Sequence, residues 1–196
     1  MDARGLPLGK AELRREALLR RSRATTTLRE AAGVALLRAV RELGPARPAA
    51  YVSLADEPST AGLLAELGRA RVPVLLPVLL ADGDLDWALH DGPLAPGLRG
   101  TLQPTGALLG RDAIARCDLV VAPALGVDAR GTRLGRGGGA YDRALARTSG
   151  YVLAALHDGE LHAVLPREPH DRAVDGAVLP AQGHVSFGAR THGGGP

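Results

Sequence analysis

Gly135, Gly137, Gly138 and Gly139 place four residues without a Cβ in five positions, flanked by Arg133 and Leu134 on one side and Ala140, Tyr141 and Asp142 on the other. Glycine admits positive φ and lets backbone N–H groups come close to a ligand. A helix is expected to start at the end of the segment, and the free N–H groups there favour an anion. Arg133 and Arg136 add positive charge, so phosphate is the natural guest. Asp142 would offer Mg²⁺ the hard oxygen it needs beside phosphates. Gly135-x-Gly137-x-x-Ala140 also meets the dinucleotide fingerprint in letters, but that fingerprint follows a strand directly. Here the run 126–134 reads as a polar loop. No Gly-Lys-Ser/Thr follows, which excludes the nucleoside-triphosphate P-loop. A flexible glycine loop with no ligand is the plain alternative, and the surrounding arginines, tyrosine and aspartate weigh against it.

Alternating strands and helices must position this loop. The run 9–23 reads as a basic helix. A second helix is expected from Thr27, where Thr27 and Glu30 fit a capping box, to a stop at Gly44-Pro45. Leu28, Ala32, Ala35, Leu36, Ala39, Val40 and Leu43 recur at helical spacing within it. Strands are expected at 49–54, 72–79, 85–90, 118–124, 151–156 and 173–179, the last being the final one. Thr60 would cap a helix running to Arg71, and another helix would span 139–147. The stretch 91–106 is rich in Pro and Gly and reads as a long loop. Strands alternating with helices imply an α/β fold with a mainly parallel sheet, and ligands in such sheets bind beyond the carboxyl ends of the strands. A single domain over 1–190 is expected, with a disordered tail at 191–196.

Composition narrows the function classes. A chain of 196 residues that is 45% hydrophobic and 23% charged reads as soluble and globular. Aromatics make up 3%, so the core must be aliphatic, and the single Trp87 is expected within it or on the sheet. The single Cys117 excludes a disulfide framework and a cysteine-rich metal site, and its apolar context marks it as buried. The net charge of +3 is mild. Lys10, Arg14, Arg15, Arg20, Arg21, Arg23 and Arg29 concentrate the basic excess near the start, but Glu12, Glu16 and Glu30 interleave with them. A solvated helix face explains that pattern as well as an anionic ligand does. Few aromatics and no nucleic-acid module argue against a nucleic-acid partner. No signal-peptide core and no apolar run of membrane-spanning length occur, so a cytoplasmic location without membrane contact is expected.

The segment Val127-Asp128-x-x-Gly131-x-Arg133-Leu134-Gly135-x-Gly137-x-Gly139-x-Tyr141-Asp142-Arg143 resembles the signature of the 5-formyltetrahydrofolate cyclo-ligases. Lys10-x-x-x-Arg14, Tyr51-Val52-Ser53 with Glu57-x-x-Thr60, and Pro169-His170-Asp171-x-x-x-Asp175 agree in order and spacing. The resemblance implies a three-layer α/β/α fold like that of sugar-phosphate isomerases and coenzyme-A transferases. It implies ATP-dependent cyclisation of 5-formyltetrahydrofolate to 5,10-methenyltetrahydrofolate, with ADP and phosphate released. Lys10, Arg14 and the run Arg133, Leu134, Gly135, Arg136, Gly137, Gly138, Gly139, Ala140 and Tyr141 would bind ATP. Arg133, Arg136 and Tyr141 would carry the catalysis. Glu57, Arg136 and Ala140 would meet the folate, and Asp142 and Asp175 would bind Mg²⁺. The partners would be these small molecules, and the protein would be a monomer or weak dimer. Lys10 and Arg14 lie one helical turn apart, so both cations can reach one anion. As ordinary features, they are helix charges, Glu57 a turn residue before Pro58, and Asp175 a loop carboxylate.

The chain departs from the family pattern in places. Gln103 stands where Glu is expected before Pro104, Ala140 where an aromatic is expected, and Asp84-Leu85-Asp86-Trp87 replaces a Met- and Phe-containing stretch. These changes fall on the folate side and spare the phosphate side. The remaining rivals are a family member with another substrate and a sugar-phosphate isomerase or coenzyme-A transferase relative that needs no ATP.

Overall fold

The computed structural model describes residues 9–188, so the tail expected at 191–196 lies outside the described residues. Seven strands form the main sheet in the order β12-β11-β9-β6-β1-β2-β3. They are β1 (Pro48–Ala49), β2 (Leu75–Leu79), β3 (Leu85–Leu89), β6 (Leu119–Pro123), β9 (Tyr151–Ala155), β11 (Gly176–Leu179) and β12 (Gly183–Ser186). The five central strands are parallel, and β3 and β12 close the two edges antiparallel.

Side-chain alternation splits the sheet into two apolar faces. Leu119 and Val121 of β6 face one cluster with Leu153 and Val178, which α2 (Thr26–Leu43) and α3 (Ala61–Arg69) cover through Leu36, Val40, Leu63 and Leu67. Val120 and Ala122 face the other with Val152, Ala154 and Leu179, covered by Ile114, Trp87 and the short α4 (Ala140–Leu145) through Ala144 and Leu145. Three layers result. Trp87 and Cys117 are buried in the second cluster, and burial pushes the Cys117 thiol up to about 11. No helix among the described residues is long and apolar enough to cross a membrane.

The cap of α2 is Thr25, whose hydroxyl accepts the Leu28 N–H at 3.3 Å, in place of the Thr27–Glu30 box. Gly44, at φ 58°, ends that helix as expected. β1 ends at Ala49; the Ala50 N–H still donates to the Leu75 carbonyl at 2.9 Å, and from Ser53 on side chains capture the backbone groups a longer strand would need. The Ser53 N–H donates to Thr60 Oγ1, the Thr60 N–H to Ser53 Oγ, and the Leu54 N–H to Glu57 Oε2. The loop expected at 91–106 contains a ribbon of β4 (Leu94–Pro96) and β5 (Leu102–Pro104). The β11 strand is not the last, since β12 turns back along it.

The polar loop expected at 126–134 is a hairpin with buried strands and an exposed tip at Ala129 and Arg130. In it β7 (Gly126–Asp128) pairs with β8 (Arg133–Leu134), and β10 (Leu161–His162) adds alongside β7. Its polarity is internal. The buried Asp128 accepts the Arg130 and Thr132 N–H groups at 2.9 Å each, and the Leu165 N–H at 2.9 Å. A short strand therefore does precede Gly135. It belongs to this antiparallel hairpin and not to a βαβ unit, which is the better reason to set the dinucleotide fingerprint aside.

Candidate active site

From β1 the chain moves one way across the sheet to β2, and from β6 it moves the other way through β9 to β11. The β1/β6 boundary is thus the topological switch point, where ligands of open α/β sheets bind. A cavity of about 550 Å³ opens there, lined by Tyr51 and Val52 beyond β1 and by Pro123, Ala124 and Leu125 at the end of β6. That volume suits a small-molecule site.

The first helix, α1 (Lys10–Arg21), presents Lys10, Arg14, Ala17 and Arg21 along one stripe. Ala17 packs with Leu125, Leu134 and Leu165, which fixes the helix against the hairpin. The stripe then lies along the cavity. Arg21 is buried, pairs with Glu160 at 2.7 Å and donates to the Ala124 carbonyl. Arg14 Nε donates to the Gly135 carbonyl at 3.0 Å. Lys10 Nζ sits between both oxygens of Asp171, at 2.7 and 2.5 Å, with Glu168 3.5 Å away.

The glycine loop forms the cationic end. A Cβ at Gly135 would stand 2.7 Å from Arg133 Nη1, at Gly138 3.1 Å from Arg99 Nη1 and at Gly139 2.9 Å from Arg143 Nη1, whereas at Gly137 Arg14 Cζ would be 3.6 Å off. Guanidinium groups thus fill the space that side chains would otherwise take. The helix after the loop has only six residues, so the attraction for an anion rests on these cations and not on a helix terminus. Arg133 is buried, donates to Asp142 Oδ1 at 2.9 Å and to the Pro123 carbonyl at 3.2 Å, and lies 5.8 Å from the Tyr141 ring centroid. Its Nε and the Tyr141 hydroxyl are buried without a hydrogen-bond partner among the described residues. Burial, with Glu57 nearby, raises the Tyr141 pKa far above the ordinary phenol range. Tyr141 is therefore a neutral hydroxyl able to donate a hydrogen bond, not a base.

Leu54, Pro77, Leu79, Leu85 and Leu102 supply an aliphatic wall to the same cavity. Glu57 is buried: Oε2 accepts the Leu54 N–H at 2.8 Å and Oε1 the Arg136 Nε–H at 3.3 Å. Arg136 also pairs with Asp56 at 2.5 Å. Glu57 is thus both the turn residue and a cavity carboxylate.

The structure brings Lys10, Arg14, Glu57, Arg133, Gly135, Arg136, Gly137, Gly138, Gly139, Ala140, Tyr141 and Asp142 to one cavity. It does not bring Leu134 or Asp175. Leu134 points away from the loop into the small cluster beneath α1. Asp175 precedes β11 and so stands at the amino end of a parallel strand, whereas the cavity lies beyond the carboxyl ends. Its carboxylate accepts the Val152 N–H at 2.7 Å. The acidic residue that this motif delivers to the cavity is Asp171. The cavity also holds residues that the motifs did not single out: Arg21, Glu168, Thr101 and Arg99. As for a divalent cation, Asp142 Oδ1 takes the Arg133 bond and Oδ2 has no protein partner among the described residues. A hard oxygen free on the cavity wall fits Mg²⁺, which binds through one or two carboxylates together with phosphates and water.

The model of the 5-formyltetrahydrofolate cyclo-ligase family matches residues 8–180. A 5-formyltetrahydrofolate cyclo-ligase of Mycolicibacterium smegmatis is 37% identical over 146 residues, covering 70% of this chain and 75% of the relative. One from Escherichia coli is 32% identical over 142 residues, covering 68% and 78%. The solved structure of a 5,10-methenyltetrahydrofolate synthetase from Aquifex aeolicus shares the fold with a TM-score of 0.78 at 22% identity, covering 94% of this chain and 98% of that one. A second, from Mycoplasma pneumoniae, gives 0.67 at 17% identity, covering 88% and 97%.

Proposed function

The chain belongs to the 5-formyltetrahydrofolate cyclo-ligase family, and we propose that it closes 5-formyltetrahydrofolate to 5,10-methenyltetrahydrofolate at the expense of ATP. The observation that carries this reading is the two-ended cavity at the switch point. One end has glycines packed with guanidinium groups, and the other has an aliphatic wall beside the Glu57 carboxylate. Triphosphate fits the first end and a flat heterocycle with N–H donors fits the second.

In the proposed reaction the formyl oxygen attacks the γ-phosphorus of ATP and ADP leaves. The folate N10 then adds to the activated formyl carbon, loses its proton, and the C–O bond breaks as phosphate departs. Phosphoryl transfer of this kind asks for positioning and charge neutralisation more than for a nucleophilic side chain. Lys10 and Arg14 reach the phosphates from α1. Arg133, held by Asp142 and Pro123, presents an N–H toward the transferred group, and the neutral Tyr141 hydroxyl donates to it. Gly135, Gly137, Gly138 and Gly139 keep the path open for the chain of phosphates, with Ala140 at its end. Arg136 and Glu57 orient the folate, since each Glu57 oxygen keeps a lone pair beyond its internal bond. Asp142 would hold Mg²⁺, which supplies neutralisation of phosphate charge. Asp175, at the amino ends of the strands, has no place in this scheme.

The reading carries with it small-molecule substrates, no nucleic acid or membrane, a cytoplasmic setting, and a monomer or weak dimer. It is tested by titrating the chain with MgATP in a calorimeter and separately following methenyl-folate formation. Saturable nucleotide binding and product formation are expected. Nucleotide binding without product would leave the phosphate end standing and remove the folate end.

A further inference from the structure

We propose that Arg99, at the tip of the β4–β5 ribbon, is a further phosphate-contacting residue, delivered to the glycine loop from a third element of the fold. This rests on the reading of the loop as the site of the ATP phosphates. Three observations carry it.

The first is place. Arg99 lines the cavity, and its Nη1 lies 3.1 Å from where a Cβ on Gly138 would stand. The second is its lack of a partner. Every other cation on the cavity wall has an internal acceptor. Lys10 has Asp171, Arg14 the Gly135 carbonyl, Arg21 Glu160, Arg133 Asp142, and Arg136 Asp56 and Glu57. Arg99 has no hydrogen bond or ion pair among the described residues. Of the cavity cations it alone has every donor of its head group uncommitted among the described residues, whereas Arg14, for instance, already spends its Nε on Gly135.

The third is backbone conformation. Arg99 is left-handed, at φ 55° and ψ 31°, a region that non-glycine residues rarely adopt. The turn around it is built to hold that shape. Gly100 follows at φ 74°, Thr101 Oγ1 donates to the Leu98 carbonyl at 2.8 Å, and the Gln103 and Thr101 side chains fill the space a Cβ on Gly97 would need. Glycine at 99 would serve the turn with less strain. A long cation kept there, unpaired and over the loop, has a use that the turn itself does not require.

The test compares Arg99→Gly and Arg99→Lys with the parent chain in steady-state turnover and thermal melting. Arg99→Gly should melt at the same or a higher temperature. Its kcat/KM for MgATP should fall about ten- to a hundredfold, the effect of losing one hydrogen bond to a charged group, while KM for the formylated folate stays within about twofold. Arg99→Lys, which keeps charge without the fork, should fall between. Unchanged MgATP kinetics in Arg99→Gly would overturn the assignment. So would a rise confined to the folate KM, which would make the tip a folate contact. A parent chain that neither bound MgATP nor turned over would instead sink the reading of the loop, and Arg99 with it.

Discussion

Replacing Gly135 with Ala sets a methyl group 2.7 Å from Nη1 of Arg133, where ordinary contact begins at 3.4 Å, so the guanidinium must retreat by about 0.7 Å. A flexible surface arginine would simply turn aside. Arg133 is buried, tied to Asp142 at 2.9 Å and to the Pro123 carbonyl at 3.2 Å, so the retreat stretches at least one of those bonds. Gly135 does not have a positive φ, so alanine there brings no backbone strain to confuse the outcome. Weakening one charge-assisted hydrogen bond and crowding a filled site should cost roughly 1–3 kcal/mol of stability. A misplacement of this size at a reacting group should lower kcat/KM for MgATP by about ten- to a hundredfold, equivalent to about 1.4–2.7 kcal/mol of barrier. The assay is methenyl-folate formation under varied MgATP, beside urea denaturation. Gly137→Ala is the control. Its methyl meets Arg14 at an ordinary 3.6 Å, but its φ of 99° makes the cost one of backbone, about 1–3 kcal/mol. If Gly135→Ala turned over within twofold of the parent, Arg133 would not be held where the account needs it.

Three further outcomes follow from the same contacts. Arg21→Met should destabilise the fold by about 3–5 kcal/mol in chemical denaturation, because it leaves Glu160 buried and unpaired. Asp171→Asn removes the carboxylate that holds Lys10, so KM for MgATP should shift by about three- to tenfold, with the folate KM unchanged. The Asp84 carboxyl is pulled from 3.8 to about 2, chiefly by its hydrogen bond from Arg147 and against the opposing effect of burial. A depressed folded-state pKa gives stability that is present above pH 4 and lost as pH falls through 2. Asp84→Asn should therefore cost about 2 kcal/mol near neutrality and flatten the acid limb of a denaturation profile between pH 4 and 2.

The sequence made most of the sheet and nearly all of the cavity legible, and the misses share physical causes. α2 is readable from the apolar stripe it lays on one face of the sheet, and β6 and β9 from continuous apolar runs buried on both faces. β1 was read too long because Tyr51 to Leu54 have strand-like composition, while Ser53, Glu57 and Thr60 divert their backbone bonds. The hairpin at 126–134 is hidden in the sequence because Asp128, Arg130 and Arg133 suggest solvent, although the buried Asp128 serves three backbone N–H groups of the hairpin and the segment beside it. The glycine loop was found because glycine and arginine density is a local signal. Arg99 was missed because its neighbourhood forms only when the ribbon folds over Gly138. Asp175 is misplaced by its motif because spacing alone does not say at which end of the strands a residue falls. A signal did exist: a residue directly ahead of a parallel strand must lie away from the carboxyl ends. The departures at Gln103 and Ala140 fall differently. Ala140 lines the cavity, whereas Gln103 packs under Gly97 and shapes the ribbon.

The central claim is that one cavity holds a triphosphate against a formylated folate and joins their chemistry. Purified chain, MgATP and 5-formyltetrahydrofolate should together give the near-ultraviolet absorbance of a methenyl folate. One ADP should appear per folate closed, and no signal should form when ATP is left out. Absorbance that grew equally without ATP, or ADP released with no methenyl product, would contradict it.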